Sequence, residues 1–178
     1  LTEKDRDKFI SLRGNVCNYS LMKEILTSYK IGIVFHLAAE AIVAKCWNNP
    51  KLTFSSNVGG TWIMLEACRR SLSVEAAIVA SSDKAYGSSK NLPYREEIPL
   101  QGHYPYDVSK SCADLITRAY YRSYNLPVAI TRCGNIYGPG DSNFSRIVPD
   151  LVKALIEEKV LLIRSDGKFT RDYIYVDD

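Results

Sequence analysis

A tyrosine and a lysine four residues apart, Tyr106 and Lys110, are the residues of this sequence best suited to proton transfer. Positions i and i+4 of a helix lie about 40° apart around its axis, so both side chains project from one face. A free phenol titrates near 10, and a base acting near neutrality needs a pKa roughly 3 lower, or about 4 kcal/mol. A nearby ammonium favours the phenolate and supplies part of that change. A tyrosine and a lysine at this spacing are common on ordinary helices, so the pair indicates catalysis only together with other residues of the site.

Such residues lie in a hydroxyl-rich segment about two dozen residues earlier, where Ser81, Ser82 and Asp83 follow a short apolar run. A serine hydroxyl at this place can hydrogen-bond the substrate oxygen whose proton Tyr106 removes. The combination is typical of the oxidation of an alcohol.

Apolar runs alternate with helical periodicity along the chain, which predicts a parallel sheet covered by helices on both faces. The predicted strands lie at residues 32–37, 76–80, 126–131, 160–163 and 172–176. The predicted helices lie at residues 19–30, capped by Asn18 or Ser20, and at 51–70, 105–124 and 145–158. Ligands of such sheets bind at the carboxyl ends of the strands, where polar segments occur at 36–40, 81–84 and 133–140.

The composition is that of a globular protein, with 46% hydrophobic residues, 24% charged residues and a formal net charge of +3. No apolar run approaches the ~20 residues of a membrane span. The basic residues are scattered, so we expect neither a membrane nor a nucleic acid as partner. Five cysteines without a CxxC pair, and two histidines remote from them, favour buried thiols, no metal site and a cytoplasmic location.

Six motifs, in order, resemble the extended short-chain dehydrogenase/reductase superfamily in its nucleotide-sugar epimerase/dehydratase branch. The resemblance extends from about Gly14 to Asp178. The motifs are His-Leu-Ala-Ala at 36–39, Ser-Asn-Val-Gly-Gly-Thr at 56–61, the serine, tyrosine and lysine set above, and the segments 132–140, 146–149 and 171–178. This resemblance implies a partial Rossmann-like, doubly wound α/β sheet with the start of a small substrate-binding lobe, and NAD as cofactor.

The resemblance also implies roles for individual residues. Tyr106 would take the proton of a sugar C4 hydroxyl, and Lys110 would lower the tyrosine pKa and hold the nicotinamide ribose. The cofactor contacts it implies are Asn15, Val16, Leu37, Ala38, Ala39, Ser56, Ser81, Tyr106, Lys110 and Cys133. The substrate contacts it implies are Asn135, Arg146 and Arg171, the last on the diphosphate. Asn15 departs from the usual aspartate, and Asn135 has the alternative of a loop residue in a left-handed turn.

The triplet Ser82, Asp83 and Lys84 discriminates between activities. Loss of water across C5–C6 of a 4-keto sugar needs a base for the C5 proton and an acid for the C6 hydroxyl. The resembled dehydratases carry Thr-Asp-Glu or, in the CDP-glucose type, Thr-Asp-Lys here, so Asp83 is interpreted as the acid and Lys84 as the base. The sequence therefore predicts an NAD-dependent nucleotide-sugar 4,6-dehydratase, a lyase, with CDP-glucose favoured and dTDP-, UDP- or GDP-sugars as alternatives.

Two other functions stay open. If Asp83 and Lys84 are only loop charges or an ion pair, the expected enzyme is a 4-epimerase, which reduces the keto sugar from its other face. The non-enzymatic alternative is an inactive chain that serves as a folded interaction module.

A glycine-rich phosphate-binding loop is missing from the sequence, since Gly14 is the one glycine before Gly32. We therefore expect a fragment, with a truncated NAD-binding domain over residues 1–143 and the beginning of the substrate-binding region over 144–178. In this interpretation residues 9–16 form the third strand of the complete sheet, and the chain alone binds NAD weakly. The resemblance further implies a homodimer through helices 51–70 and 105–124, with Tyr120, Tyr121 and Tyr124 at the seam.

Overall fold

The computed structural model describes residues 8–89, 92–163 and 165–178. Contacts divide the chain into two compact units, of which the first ends at Arg132 and the second extends from Cys133 to Asp178. Within the described ranges, no helix combines the length and the apolar character that crossing a membrane requires.

The first unit contains a sheet of three parallel strands, β1 (Ile33–His36), β2 (Ala76–Ala80) and β3 (Val128–Thr131). They pair in the order β1-β2-β3, with Phe35 opposite Ile78 and Ile78 opposite Ala129. The three strands predicted in this part of the chain are confirmed, with β1 and β3 slightly shorter than predicted. Their parallel order brings the carboxyl ends of all three to one edge of the sheet.

Helices connect these strands. They are α1 (Tyr19–Ser28), α2 (Val43–Asn48), α3 (Pro50–Phe54), α4 (Gly60–Arg70) and α5 (Pro105–Tyr124). Asn18 caps α1 by accepting a hydrogen bond from the Leu21 amide at 3.1 Å, as predicted. Asn125 ends α5 in a left-handed conformation with φ of 52°. These caps satisfy amide and carbonyl groups that helix ends leave unpaired.

A π-helical turn, Ser55–Gly59, interrupts the helix that the sequence pattern predicts over residues 51–70. The turn joins α3 to α4 and places the side chain of Asn57 inside the protein, with 2% of its surface exposed. Single π turns inside α-helices occur frequently at functional sites. The turn therefore indicates that residues 55–59 lie near a functional site.

The hydrophobic core lies between one face of the sheet and helices α1, α4 and α5. From the sheet it includes Val34, Ala77 and Val79. On the opposite face Ile33 and Phe35 are 56% and 66% exposed. The predicted parallel sheet with helical cover is present, and in the described part of this unit the helices cover one of its faces.

The strand predicted at 160–163 is wrong. Residues 9–16 form no strand here either, but that prediction concerns a complete sheet with two earlier strands, so it stays a prediction. Residues 9–16 and 160–163 have irregular backbone, and their apolar side chains are largely exposed, with Ile10 at 63% and Leu162 at 75%. A short apolar run becomes a strand only when a neighbouring strand pairs with its backbone groups. Neither segment has such a neighbour among the described residues.

The second unit contains the short parallel strands β4 (Asn135–Tyr137) and β5 (Tyr173–Tyr175), and the helix α6 (Ile147–Ile156). Helix α6 and strand β5 agree with the predicted helix at 145–158 and the predicted strand at 172–176. Strand β4 was not predicted, since the sequence analysis treats residues 133–140 only as a polar segment after a strand. The assignment of NAD binding to residues 1–143 and of a substrate region to 144–178 stays a prediction.

Candidate active site

Tyr106 and Lys110 project from the same face of α5, as their spacing predicts. The Lys110 Nζ lies 6.0 Å from the centroid of the Tyr106 ring. The lysine is 7% exposed and donates a hydrogen bond of 2.6 Å to the carbonyl of Ala80, the last residue of β2. Burial lowers the pKa of Lys110. A cation is thus held beside the phenol at the carboxyl end of the central strand.

The Ser81 hydroxyl follows β2 directly and is buried, with 9% of the residue exposed. Among the described residues it is the buried side-chain polar atom that lacks a hydrogen-bond partner. An unpaired buried hydroxyl costs about 1–3 kcal/mol, so such groups usually face a ligand or water. Its position next to the Ala80 carbonyl that binds Lys110 suits a hydroxyl that meets a ligand at this edge of the sheet.

The predicted acid and base lie on a single 3₁₀ turn, Asp83–Tyr86. Ser82 caps this turn, since its hydroxyl accepts from the Lys84 amide at 3.2 Å and donates to Asp83 Oδ1 at 2.9 Å. The Lys84 Nζ lies 3.4 Å from Asp83 Oδ2, and the two side chains are 38% and 24% exposed. The pair forms a partly exposed ion pair, so solvent and a ligand can both reach it.

Asn57, which the sequence analysis includes in the motif at 56–61 without a role of its own, joins two parts of this site. Its amide nitrogen donates to the Glu40 carbonyl at 3.1 Å and to Ser109 Oγ at 2.9 Å, and its oxygen accepts from the Glu40 amide at 2.7 Å. Ser109 in turn donates to the carbonyl of Tyr106 at 2.7 Å. The chain of bonds ties the segment after β1 to the first turn of α5. An asparagine within a predicted helix was the available signal, because asparagine is disfavoured in helix interiors.

His36, the last residue of β1, was also missed as an individual residue. Its Nε2 lies 3.0 Å from Thr61 Oγ1, and the single hydroxyl proton of Thr61 is donated to the Asn57 carbonyl at 2.6 Å. The histidine must therefore be the donor in its bond to Thr61. Burial, with a smaller contribution from the Lys110 charge, lowers the pKa of His36 to about 4. His36 is neutral at pH 7 and serves to hold the strand end against α4.

Asp107 adds a buried carboxyl beside Tyr106 on α5, with 8% of the residue exposed. Burial raises the pKa of Asp107, and the positive charge of Lys84 opposes that rise. The sequence analysis did not select this residue.

Three of the predicted cofactor contacts, Val16, Leu37 and Ala38, line one cavity of about 210 Å³ in the first unit. Gly60 permits this arrangement, because a Cβ atom there would lie 2.7 Å from Val16 Cγ1. Asn15 accepts a hydrogen bond from the Cys17 amide at 2.9 Å, so its side-chain oxygen closes a local turn. The other first-unit positions, Ala39 and Ser56, are half-buried outside this cavity lining.

The remaining predicted site residues belong to the second unit. Asn135 begins β4 and donates to the Asp172 carbonyl at 3.1 Å, so the alternative of a left-handed turn is wrong. Arg146 precedes α6 and lies 3.3 Å from Asp141. Arg171 is exposed, and its guanidinium lies 5.0 Å from the centroid of the Phe169 ring. Cys133 is a half-buried free thiol in this unit.

Curated proteins similar to this chain are nucleotide-sugar dehydratases. A dTDP-D-glucose 4,6-dehydratase from Dictyostelium discoideum is 34% identical over 177 residues, covering 93% of this chain and 40% of that protein. A CDP-glucose 4,6-dehydratase from Salmonella typhimurium is 30% identical over 162 residues, covering 85% of this chain and 45% of that protein. The chain thus spans less than half the length of these two relatives.

Solved structures with the same fold include dehydratases and epimerases. A dTDP-glucose 4,6-dehydratase from Streptomyces venezuelae, crystallised as a double mutant with NAD, has a TM-score of 0.83 and 31% identity, covering 93% of this chain and 50% of that one. A UDP-glucose 4-epimerase from Thermotoga maritima, crystallised with UDP-glucose, has a TM-score of 0.87 and 27% identity, covering 93% of this chain and 55% of that one.

A family model described as the NAD dependent epimerase/dehydratase family matches residues 2–178, which is nearly the whole chain. This match agrees with the parallel sheet, with the tyrosine and lysine on α5 and with the similar proteins. The chain belongs to the NAD dependent epimerase/dehydratase family.

Proposed function

We propose that the protein containing this chain is an NAD-dependent nucleotide-sugar 4,6-dehydratase. The observation that supports this activity over others is the turn Asp83–Tyr86, which presents a carboxyl and an amine together and packs against the helix that carries Tyr106 and Lys110. A dehydratase needs both pairs, one for oxidation at C4 and one for loss of water. Relatives that catalyse this reaction on dTDP-glucose and CDP-glucose support the same conclusion.

The residues at the end of β2 fit a bound nicotinamide nucleotide. The unpartnered Ser81 hydroxyl and the buried Lys110 ammonium offer donors there, and Val16, Leu37 and Ala38 line the apolar cavity. NAD, when bound, supplies the acceptor for the hydride of the sugar C4 and its return to C6. Tyr106 takes the proton of the C4 hydroxyl, and the Lys110 charge stabilises the phenolate that does so.

The second pair removes water from the 4-keto sugar. Transfer of one proton from the Lys84 ammonium to the Asp83 carboxylate, across the 3.4 Å that separates them, creates a neutral acid and a neutral amine. A bound sugar that excludes water favours this neutral form, because desolvation disfavours charges. Lys84 then accepts the C5 proton while Asp83 protonates the C6 hydroxyl, which leaves as water. Lys84 returns the proton to C5, and a proton passing from Tyr106 to Asp83 through solvent resets the site.

The proposed substrate is a nucleoside diphosphate hexose. Lys84 in place of a glutamate favours CDP-glucose, with dTDP-, UDP- and GDP-sugars as the alternatives. Asn135, Arg146 and Arg171 are proposed to contact the sugar nucleotide, and the exposed guanidinium of Arg171 suits the diphosphate. We further propose a homodimer, because Trp62 on α4 is 56% exposed and Tyr121 on α5 is 58% exposed. The five free cysteines support the proposal of a cytoplasmic location.

A 4-epimerase is the second candidate, and the similarity to the Thermotoga maritima UDP-glucose 4-epimerase favours it. If this protein is a 4-epimerase, the ion pair of Asp83 and Lys84 has no part in the reaction. Oxidation of the sugar at C4, with Tyr106 as the base, is the first step of both the dehydratase and the epimerase reaction.

The variant Asp83→Ala in the full-length gene product separates the two candidates. For a dehydratase we expect hydride transfer from C4 to continue while water loss falls roughly 10²- to 10⁴-fold, because the general acid is gone. Stopped-flow absorbance of the reduced nicotinamide and mass spectrometry of the product measure the two steps. Glu24→Ala, which removes an exposed carboxylate from α1, is the control. An Asp83→Ala enzyme that keeps its full rate of product formation would rule out the proposed role.

A further inference from the structure

Arg132 forms a partly buried network of hydrogen bonds directly after β3. Its Nε and Nη2 donate to Asp114 Oδ2 and Oδ1 at 2.6 and 3.0 Å, and Asp114 is fully buried. Its Nη1 donates to the Tyr86 hydroxyl at 2.8 Å and to the Glu96 carbonyl at 3.0 Å. A two-pronged arginine–carboxylate pair fixes both the position and the orientation of the guanidinium plane. The end of β3, the middle of α5 and the end of the 83–86 turn are therefore joined through one side chain.

A second contact holds the same turn from within α5. Ser111 Oγ lies 2.9 Å from the Ala85 carbonyl and 3.0 Å from the Asp107 carbonyl, and it accepts from the Gly102 amide at 3.3 Å. Ala85 is fully buried, and its carbonyl accepts from the Gln101 amide at 3.1 Å as well as lying against Ser111. Arg132 and Ser111 thus contact Tyr86 and Ala85, the second half of the turn. Asp83 and Lys84 form its first half, and their side chains are partly exposed.

The two residues of α5 that hold the turn, Ser111 and Asp114, lie close to Tyr106 and Lys110 along the helix. Ser111 and Asp114 are three residues apart, so they share a face of the helix. Each step of one residue turns a helix by about 100°, so Ser111 lies one step from Lys110. Asp114 is four residues from Lys110, so the carboxylate that binds Arg132 lies on the same face of α5 as Tyr106 and Lys110, and one rigid helix carries both the oxidising pair and the residues that hold the turn.

We propose that Arg132 and Tyr86 are positioning residues for the water-loss step, holding Asp83 and Lys84 at a fixed place along α5 so that one bound sugar meets both pairs. The proposal rests on the proposed function, since it requires that Asp83 and Lys84 remove water. It extends that function by naming the residues that couple the two steps. Arg132 and Tyr86 act through the turn and make no contact with the sugar.

The most conservative test is Tyr86→Phe, which removes one hydroxyl and keeps the ring that stacks on Tyr94 at 5.1 Å. We expect the rate of hydride transfer from C4 to be unchanged. Water loss is expected to slow roughly 10- to 100-fold, because a catalytic group displaced by about 1 Å loses that much. Reduced nicotinamide then accumulates in a single turnover, and exchange of solvent deuterium into C5 slows with water loss. Without any ligand, amide hydrogen exchange at Lys84 and Ala85 is expected to become faster.

Ser111→Ala provides a second test, because it removes one of the two groups bonded to the Ala85 carbonyl and leaves the Gln101 amide in place. Tyr120→Phe is the matched control: it also removes one tyrosine hydroxyl, which donates to Glu66 at 3.1 Å, and it should leave the ratio of the two rates unchanged. Equal slowing of both steps in Tyr86→Phe and Ser111→Ala, or no change in either step, would overturn the inference alone. A wild-type protein that never releases water would instead refute the proposed function and remove this inference with it.

Discussion

At the scale of single residues, the two lysines of the site differ in their burial and in their hydrogen-bond partners. Lys110 is buried with one carbonyl partner, whereas Lys84 is paired with a carboxylate and partly exposed. The first arrangement places a positive charge beside the Tyr106 phenol, and in the proposed function the second provides a proton that moves within the pair. Two lysines of one site thus have different chemistry because their surroundings differ.

His36 provides a prediction at this scale, because it is neutral in the folded protein at pH 7. Its pKa is about 4 when folded and near 6.5 when unfolded. Below pH 6.5 the unfolded chain takes up a proton that the folded chain does not, so stability present at pH 7 is lost as the pH falls towards 4. The loss is on the order of 3 kcal/mol at its limit. Denaturant unfolding of the full-length gene product at pH 7 and pH 5 measures it.

The control is His36→Gln, which removes the titrating ring and retains an amide donor for Thr61. This variant should lose less stability between pH 7 and pH 5 than the wild type. An identical loss in both proteins would show that another group causes the pH dependence.

At the scale of elements, the π turn Ser55–Gly59 is the feature that connects fold to site. It turns Asn57 inward, where the amide joins the Glu40 backbone to Ser109. The arrangement fixes the first turn of α5 against the segment that follows β1. Helix α5 therefore presents Tyr106 and Lys110 on a backbone that is held at its start.

Asn57→Ala is expected to lower the free energy of unfolding by about 1–3 kcal/mol, because it leaves the part-buried Glu40 amide without its partner and removes one of the two donors to the Glu40 carbonyl. Ser55→Ala, at an exposed position of the same turn, should change it by less than about 1 kcal/mol. Chemical denaturation of both variants measures the difference. Equal effects of the two substitutions would contradict the role assigned to Asn57.

The local pattern of apolar residues predicted most helices and strands correctly. It failed where residues distant in the sequence determine the backbone conformation. The helix over residues 105–124 and the strand over 76–80 are confirmed at their predicted bounds. Residues 160–163 carry the same apolar signal but have no strand to pair with among the described residues, and the pattern cannot reveal this. The π turn is equally hidden, because Asn57 is fixed by partners 17 and 52 residues away.

The candidate site was predictable to a similar extent. The spacing of Tyr106 and Lys110 locates the pair on one helix face, and the structure confirms it. Arg132 appears in a recognised motif, yet its bonds to Asp114 and Tyr86 depend on the tertiary arrangement of three elements. Positioning residues are therefore harder to predict than the groups they position.

At the scale of the whole molecule, the chain exposes apolar side chains on α4 and α5, which pack side by side. Trp62, Leu115 and Tyr121 are each more than half exposed. Exposed aromatic and aliphatic groups on adjacent helices are typical of a surface that another protein covers. A second copy of the protein is the proposed occupant.

Tyr121→Glu is expected to convert a dimer to a monomer in analytical ultracentrifugation, because it would bury an unpaired carboxylate in the interface. Leu72→Glu, at a fully exposed position between α4 and β2, is the matched control and should leave the assembly unchanged. Equal sedimentation of wild type and Tyr121→Glu as dimers would place the interface elsewhere.

The central claim is the loss of water, and the mass of the product tests it most directly. The full-length gene product is incubated with NAD and, separately, with CDP-, dTDP-, UDP- and GDP-hexoses, and each product is measured by mass spectrometry. We predict that one of these substrates loses one molecule of water, which would also identify the nucleotide. A product of unchanged mass and inverted configuration at C4 would contradict the account and assign the protein as a 4-epimerase.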